Sequence, residues 1–187
     1  MKIAILRLGH RKGRDIRVTT HCCLVARAFF ASELVLSGES DASIIETVSK
    51  VSKKWGGGLK LSYRKNFLSE IRQRKRKGFL IVHLTMYGLS LPEHLAEIRK
   101  IASKKGILVI IGAEKVPASV YALSDFNIAI TNQPHSEVAA LAIFLNELQN
   151  GSPLQRNAQR HFKNAQIIIT PGQKDGKSKK TKSTNSH

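Results

Sequence analysis

The chain has 187 residues, enough for one well-buried domain with appendages and too few for two domains of ordinary size and a linker. Its residues are 42% hydrophobic and 24% charged, which suits a packed core, but 31 Lys and Arg stand against 13 Asp and Glu, a net charge of +18. That excess calls for a polyanionic partner, and since no apolar run nears the roughly 18 residues that span a bilayer and the opening MKIAILRLGHRKGR is charged too early for a secretory signal, a soluble cytoplasmic protein with no membrane contact is expected.

Apolar residues alternate from Lys2 to Leu8, which predicts a first strand, and Thr20 is placed to cap a helix running from His21 to Ser32. Inside that segment Cys22 and Cys23 are adjacent, a spacing that suits neither a structural disulfide nor a zinc site. Leu34 to Leu36 predict a second strand. Ser40 or Asp41 then opens a helix with Ile44, Ile45, Val48 and Val51 on one face, ended by Gly56-Gly57-Gly58. Leu59, Leu61 and Tyr63 predict a strand, Asn66 opens a short basic helix, and Phe79 to Leu84 predict a buried strand. Ser90 caps a helix with Pro92 in its first turn and Leu95, Ile98 and Ile101 on one face. Ile107–Ile111 and Asn127–Thr131 predict two further strands, and Ser136–Gln149 a long apolar helix.

Strands alternating with helices predict an α/β domain over residues 1–150, with a mostly parallel sheet covered by helices on both faces. Residues 151–172 read as a small C-terminal extension packed on that domain, with a polar helix through Gln155, Arg156, Asn157, Gln159 and Arg160 and a strand at 166–170. Residues 173–187 carry five lysines and no large apolar side chain, a tail expected to be disordered or ordered only against a partner.

Sheets of this kind bind ligands at the carboxyl ends of their strands. Three loops qualify: Leu84 to Gly88, Gly112 to Pro117 and Thr131 to Glu137. None is a G-x-G-x-x-G or a Walker A loop, and the acids are too scattered for a pair of magnesium ions. A phosphoesterase using Asp15 or Glu137 therefore ranks below other readings. Taken alone, Gly112 reads as a turn residue, His135-Ser136-Glu137 as a helix cap, Arg27 as a surface arginine, and His10, His21 and His83 as core or polar-site histidines rather than metal ligands.

The combination of motifs is more specific than any one of them. Gly112 to Pro117 after a buried strand, followed by Ile130-Thr131-Asn132-Gln133-Pro134-His135-Ser136-Glu137, resembles the second and third motifs of SPOUT methyltransferases. His21 to Ala28 resembles the first motif of the ribose-methylating branch, with Arg27 matching its arginine and His21 standing where the branch has an asparagine. With Leu8 to Arg11, Arg17 to His21 and His83 to Gly88, the chain is similar over about residues 1 to 170 to the archaeal tRNA cytidine-56 2′-O-methyltransferases.

The resemblance implies a C-terminal trefoil knot, S-adenosylmethionine as cofactor, tRNA as substrate and a homodimer with a composite active site. It implies that Leu84, Gly112, Ala113, Glu114, Lys115, Val116 and Ile130, Thr131, Asn132, Gln133, Pro134, His135, Ser136 and Glu137 hold the cofactor, with Arg27 and His21 catalytic and no metal. An always-charged guanidinium suits stabilisation of the developing alkoxide better than proton abstraction. Two basic runs, Arg7, Arg11, Lys12, Arg14 and Arg17, and Arg64, Lys65, Arg72, Arg74, Lys75, Arg76 and Lys77, are expected on tRNA phosphates. A non-catalytic RNA-binding α/β protein is the competing reading.

Overall fold

Alternation along the first strand already requires two covered faces. In β1 (Ile3–His10), Ile3 and Ile5 join one buried cluster while Ala4, Leu6 and Leu8 join another. The computed structural model describes residues 1–112, 115–155, 162–174 and 176–181. Its main sheet adds β2 (Glu33–Gly38), β3 (Lys60–Tyr63), β4 (Leu80–Ser90), β5 (Ile107–Gly112) and β6 (Phe126–Ala129), in the order β3-β2-β1-β5-β4-β6. All of these pairs are parallel.

Helices α1 (Ile16–Ala28), α2 (Ala42–Trp55), α4 (Leu91–Lys105) and α6 (Glu137–Leu148) bury Cys22, Ile44, Ile98 and Phe144 in the cluster on one face. On the other face α3 (Phe67–Arg76) and α5 (Ala118–Leu123) bury Ile71 and Val120. Among the described residues no helix is long and apolar enough to cross a membrane.

Several helix starts follow local hydrogen bonding that the sequence displays. Asp41 accepts from the Ser43 backbone N–H at 2.9 Å, Asn66 from that of Ser69 at 3.0 Å, and Ser136 from that of Val138 at 3.1 Å. Asp41 also accepts from the Ser43 hydroxyl and lies 3.4 Å from His10 Nε2. Hydrogen bonding from Ser43, set against burial, holds its carboxyl below the usual aspartate range. A depressed folded-state value contributes stability that is present above the unfolded value, about 3.9, and lost as pH falls through the folded one. Asp41→Ala is therefore expected to cost about 1–2 kcal/mol at pH 7. In urea titrations the gap from the parent chain should narrow as pH falls below the unfolded value and through the folded one; a gap independent of pH would show that the charge is irrelevant.

Three expectations are corrected. The first helix begins at Ile16 and ends at Ala28, not His21 to Ser32, because the Asp15 carbonyl already accepts from the Thr19 N–H at 2.8 Å. Beyond it Phe30 takes φ 63° and the Ser32 N–H pairs with the Ile3 carbonyl, turning the chain into the sheet. The short α5 went unread: Pro117 sets its start, and six residues are too few for a helical period to declare itself. The lysine-rich stretch is not wholly without structure, since β8 (Lys177–Lys180) pairs antiparallel with β7 (Ile167–Thr170), and Thr181 N–H donates to the Gln166 carbonyl at 2.8 Å. Composition speaks to core burial, whereas a hairpin edge needs only backbone partners. Of the polar helix expected near residue 155, the short α7 (Ser152–Gln155) is described, while Arg156, Asn157, Gln159 and Arg160 and residues 182–187 lie outside the described residues.

Candidate active site

Strands β2 and β3 are added on one side of β1, and β5, β4 and β6 on the other, so the winding reverses beside β1 and leaves a crevice at the carboxyl ends. Two adjoining cavities open there. The larger, about 530 Å³, is lined by Leu84 and the three residues after it, by Gly112, Lys115 and Val116 following β5, and by His135 and Glu137 at the start of α6. The smaller, about 390 Å³, shares Gly112, Lys115 and Val116 and adds Gly9, His10, Gly38 and Phe67.

The wall of the larger cavity is made by a break in strand pairing. Leu84 and Leu89 both lie opposite Ile128, so Thr85 to Gly88 leave the β4–β6 ladder as an excursion toward the cavity. Asn132 Nδ2 ties that excursion down, donating to the carbonyls of Met86 at 2.8 Å and Gly88 at 3.2 Å. Gly88 is required by contact: a Cβ there would sit 2.6 Å from the Asn127 carbonyl oxygen. Thr85 Oγ1 and the Tyr121 hydroxyl are 3.0 Å apart, fixing α5 against the same wall.

Six of the sequence-predicted cofactor residues, Leu84, Gly112, Lys115, Val116, His135 and Glu137, line this one cavity. Asn132 braces its rim, Ser136 caps α6, and Ile130 packs against the core. Thr131, Gln133 and Pro134 are exposed in the connecting loop, and Ala113 and Glu114 lie outside the described residues. Arg27 and His21 are elsewhere. His21 is exposed on α1. Arg27 lines a separate hollow of about 190 Å³ with Trp55, Phe162 and Ile167 to Ile169. Its guanidinium donates to the Gly56 carbonyl, Nε at 2.9 Å, and lies 4.6 Å from the Phe162 ring centroid. Burial lowers its pKa, yet a guanidinium stays charged at neutral pH.

Two basic residues expected on RNA are internal. Arg7 is 1% exposed because alternation in β1 turns it toward α6, where Nη2 meets Glu137 Oε1 at 2.9 Å and Nη1 donates to the Leu8 carbonyl. Arg74 is buried against Glu70 at 2.7 Å and Glu33 at 2.8 Å. Arg11 is paired with Asp15 and Lys75 with Asp125. Lys12, Arg14, Arg17, Arg64, Lys65, Arg72, Arg76 and Lys77 are exposed. Burial pushes the Cys22 and Cys23 thiols up to about 12, so neither supplies a thiolate nucleophile.

Sequence reasoning missed Arg7, His83 and Tyr121 as parts of the site. Tyr121 gave no signal because its helix was unread, and His83 resembles any core histidine until its ring is seen beside the cavity.

A family model described as tRNA ribose 2′-O-methyltransferase, aTrm56, matches residues 55–180. The tRNA (cytidine(56)-2′-O)-methyltransferase of Methanopyrus kandleri is 47% identical over 176 residues, covering 94% of this chain and 95% of that protein. Among solved structures, the A. aeolicus TrmH/SpoU tRNA modifying enzyme superposes with TM-score 0.59 at 13% identity, over 87% of this chain and 80% of that one. The SpoU methyltransferase AviRb from Streptomyces viridochromogenes, in complex with AdoMet, superposes with TM-score 0.58 at 14% identity, over 81% and 58%. At such identities the structures speak for the fold, whereas the family match and the near-full-length relative speak for kinship of sequence. The chain belongs to the aTrm56 family of tRNA ribose 2′-O-methyltransferases, enzymes that methylate a ribose of tRNA.

Proposed function

We propose that this chain transfers the methyl group of S-adenosylmethionine to the ribose 2′-hydroxyl of cytidine 56 in tRNA, working in the cytoplasm as a homodimer with composite active sites. The observation that carries the reading is the convergence of three separate segments, the excursion in β4 and the chain following β5 and β6, on one cavity of about 530 Å³, a volume in the range of small-molecule sites. The residues fit the cofactor: Leu84, Ile111, Val116 and Ala140 offer an apolar bed, and Gly112 lets a ligand approach backbone. Leu84, the segment 112–116 and the segment 130–137 hold it. A trefoil knot formed by the segment from β6 through α6 accounts for loops distant in sequence meeting there.

The sulfonium supplies an already activated methyl group, so the protein's task is alignment and exclusion of water. Arg27 stabilises the developing alkoxide, with His21 at the mouth of the same site. Because Arg27 lies outside the cavity of its own subunit, it serves the partner's cavity, and Gly56 and Phe162 hold its guanidinium in place beforehand. The exposed lysines and arginines of α3 and of the loop after β1 contact tRNA phosphates. Residues 1–150 form the methyltransferase domain, 151–172 an extension packed beside Arg27, and 173–187 a basic tail toward RNA.

The test uses tritiated S-adenosylmethionine with unmodified tRNA transcripts. Label is expected at cytidine 56 and lost from a transcript carrying 2′-deoxycytidine there. Label that survives the deoxy substitution would overturn the ribose assignment, and tRNA binding without any cofactor binding would favour the non-catalytic RNA-binding reading.

A further inference from the structure

One buried polar atom beside the cavity lacks a partner among the described residues. His83 is 0% exposed and lies beside the cavity, just before the excursion in β4. Its Nδ1 is 2.9 Å from Asn127 Oδ1, and Asn127 Nδ2 donates to the Tyr121 carbonyl at 3.2 Å. That second bond orients the amide, so Oδ1 is the atom offered to His83 and Nδ1 must carry the hydrogen. The bare lone pair is then on Nε2, and Nε2 has no hydrogen-bond partner among the described residues. The Tyr121 ring, edge-on at 4.7 Å and 85°, prevents the imidazole from turning to find one. Burial, partly offset by the Asn127 hydrogen bond, lowers the His83 pKa, so the ring is neutral and the lone pair stays available.

We propose that His83 is a cofactor-recognition residue whose Nε2 accepts a hydrogen bond from a neutral N–H or O–H donor of the adenosine half of S-adenosylmethionine. This rests on the cofactor reading above and adds a residue to it. The donor is assigned to the nucleoside because a cationic ammonium brought against the fully buried His83 ring would lose its hydration, whereas the adenine amino group or a ribose hydroxyl would carry a smaller penalty. The apolar Leu84, Ile111 and Val116 beside it suit a purine. An acceptor left orphaned in the free protein and satisfied in the complex contributes more to affinity than an exposed one, since the protein gives up no hydrogen bond of its own and only the ligand's bond to water is exchanged.

The test is calorimetry on the full chain with S-adenosylmethionine, S-adenosylhomocysteine and 5′-methylthioadenosine. His83→Phe is expected to weaken all three by a similar factor, about 10- to 100-fold, with His83→Gln, which returns an acceptor oxygen, recovering part of the loss. Should His83→Phe fail to fold, ¹⁵N spectra of the unaltered chain decide: the Nε2 resonance should move toward lower frequency when S-adenosylhomocysteine binds. Unchanged affinities, or an unmoved Nε2, would mean that a buried water meets the atom and would overturn the proposal. Loss confined to the two ligands with an amino-acid moiety would also overturn it, by assigning the donor to the ammonium. If the unaltered chain binds none of the three, the cofactor reading itself fails, an outcome distinct from either.

Discussion

Arg27→Ala is expected to lower the rate of methyl transfer to tRNA by about 10²- to 10³-fold while leaving the calorimetric affinity for S-adenosylmethionine unchanged. The split follows from position. Arg27 lines a hollow with Trp55 and Phe162, and not the cavity that gathers Leu84, Gly112 and Glu137, so its loss touches no proposed cofactor contact of its own subunit. What is lost, on the proposed role, is a fixed positive charge held by the Gly56 carbonyl and the Phe162 ring and offered to the attacking oxygen as it becomes negative. The same contacts predict a side effect: removing them costs about 1–2 kcal/mol, so the assay belongs well below the unfolding midpoint. Complementation sharpens the test. Val116→Trp fills the cavity and is expected to be inactive through loss of cofactor. Mixed with Arg27→Ala after dissociation and reassociation, it should restore about a quarter of the parent activity if the proposed homodimer holds, since half of such dimers would be hybrids and each hybrid would have one intact composite site. Absence of recovery in verified hybrids would place Arg27 in its own subunit's site or outside the chemistry.

Most of the fold was legible because this sheet is buried on both faces, which turns strands into short apolar runs such as Phe79 to Leu84 and Ile107 to Ile111. Caps at Asp41, Asn66 and Ser136 were legible for a local reason, a side-chain oxygen two or three residues ahead of a helical N–H. The first helix was misplaced by the same rule, since Thr20 has the chemistry of a cap but Asp15 supplies the helix-starting carbonyl. Of the site, the three loops that meet at the cavity were legible as segments following strands of a parallel sheet, whereas the cofactor residues within them were singled out through motif resemblance, because spacing alone did not distinguish Gly112 from any turn or Ser136 from any cap. What no pattern exposed were long-range pairings. Arg7 is 130 residues from Glu137 and reads as one more cation in a basic run, and His83 is 44 residues from Asn127. Charge on a strand reads as surface, but both faces of this sheet are covered, and parity puts Arg7 on the α6 face with Ile3 and Ile5.

That inward arginine gives the largest expected effect on stability. Glu137→Ala is expected to cost about 3–5 kcal/mol, seen as a fall in Tm of roughly 10 °C for a chain of this size. The buried pair is asymmetric. Arg7 is 1% exposed, with Nε unpartnered among the described residues and Nη1 on the Leu8 carbonyl, whereas the Glu137 side chain keeps 23% exposure at the cavity edge. Removing Glu137 strands a guanidinium in the core with no counter-charge, while removing Arg7 frees a carboxylate that can turn toward solvent. Arg7→Met should therefore cost less, about 1–2 kcal/mol, and Arg7→Met combined with Glu137→Leu should be more stable than Glu137→Ala alone, since no charge is then buried unpaired. Equal losses from the two single changes would show that both side chains are equally trapped. The pair also links the sheet to the cavity: it pins the first turn of α6 to the centre of β1, and Glu137 in that turn and His135 just before it reach the cavity. Arg7→Met is accordingly expected to weaken binding of S-adenosylhomocysteine as well, although Arg7 itself does not line the cavity; unchanged affinity would confine the pair to a structural role.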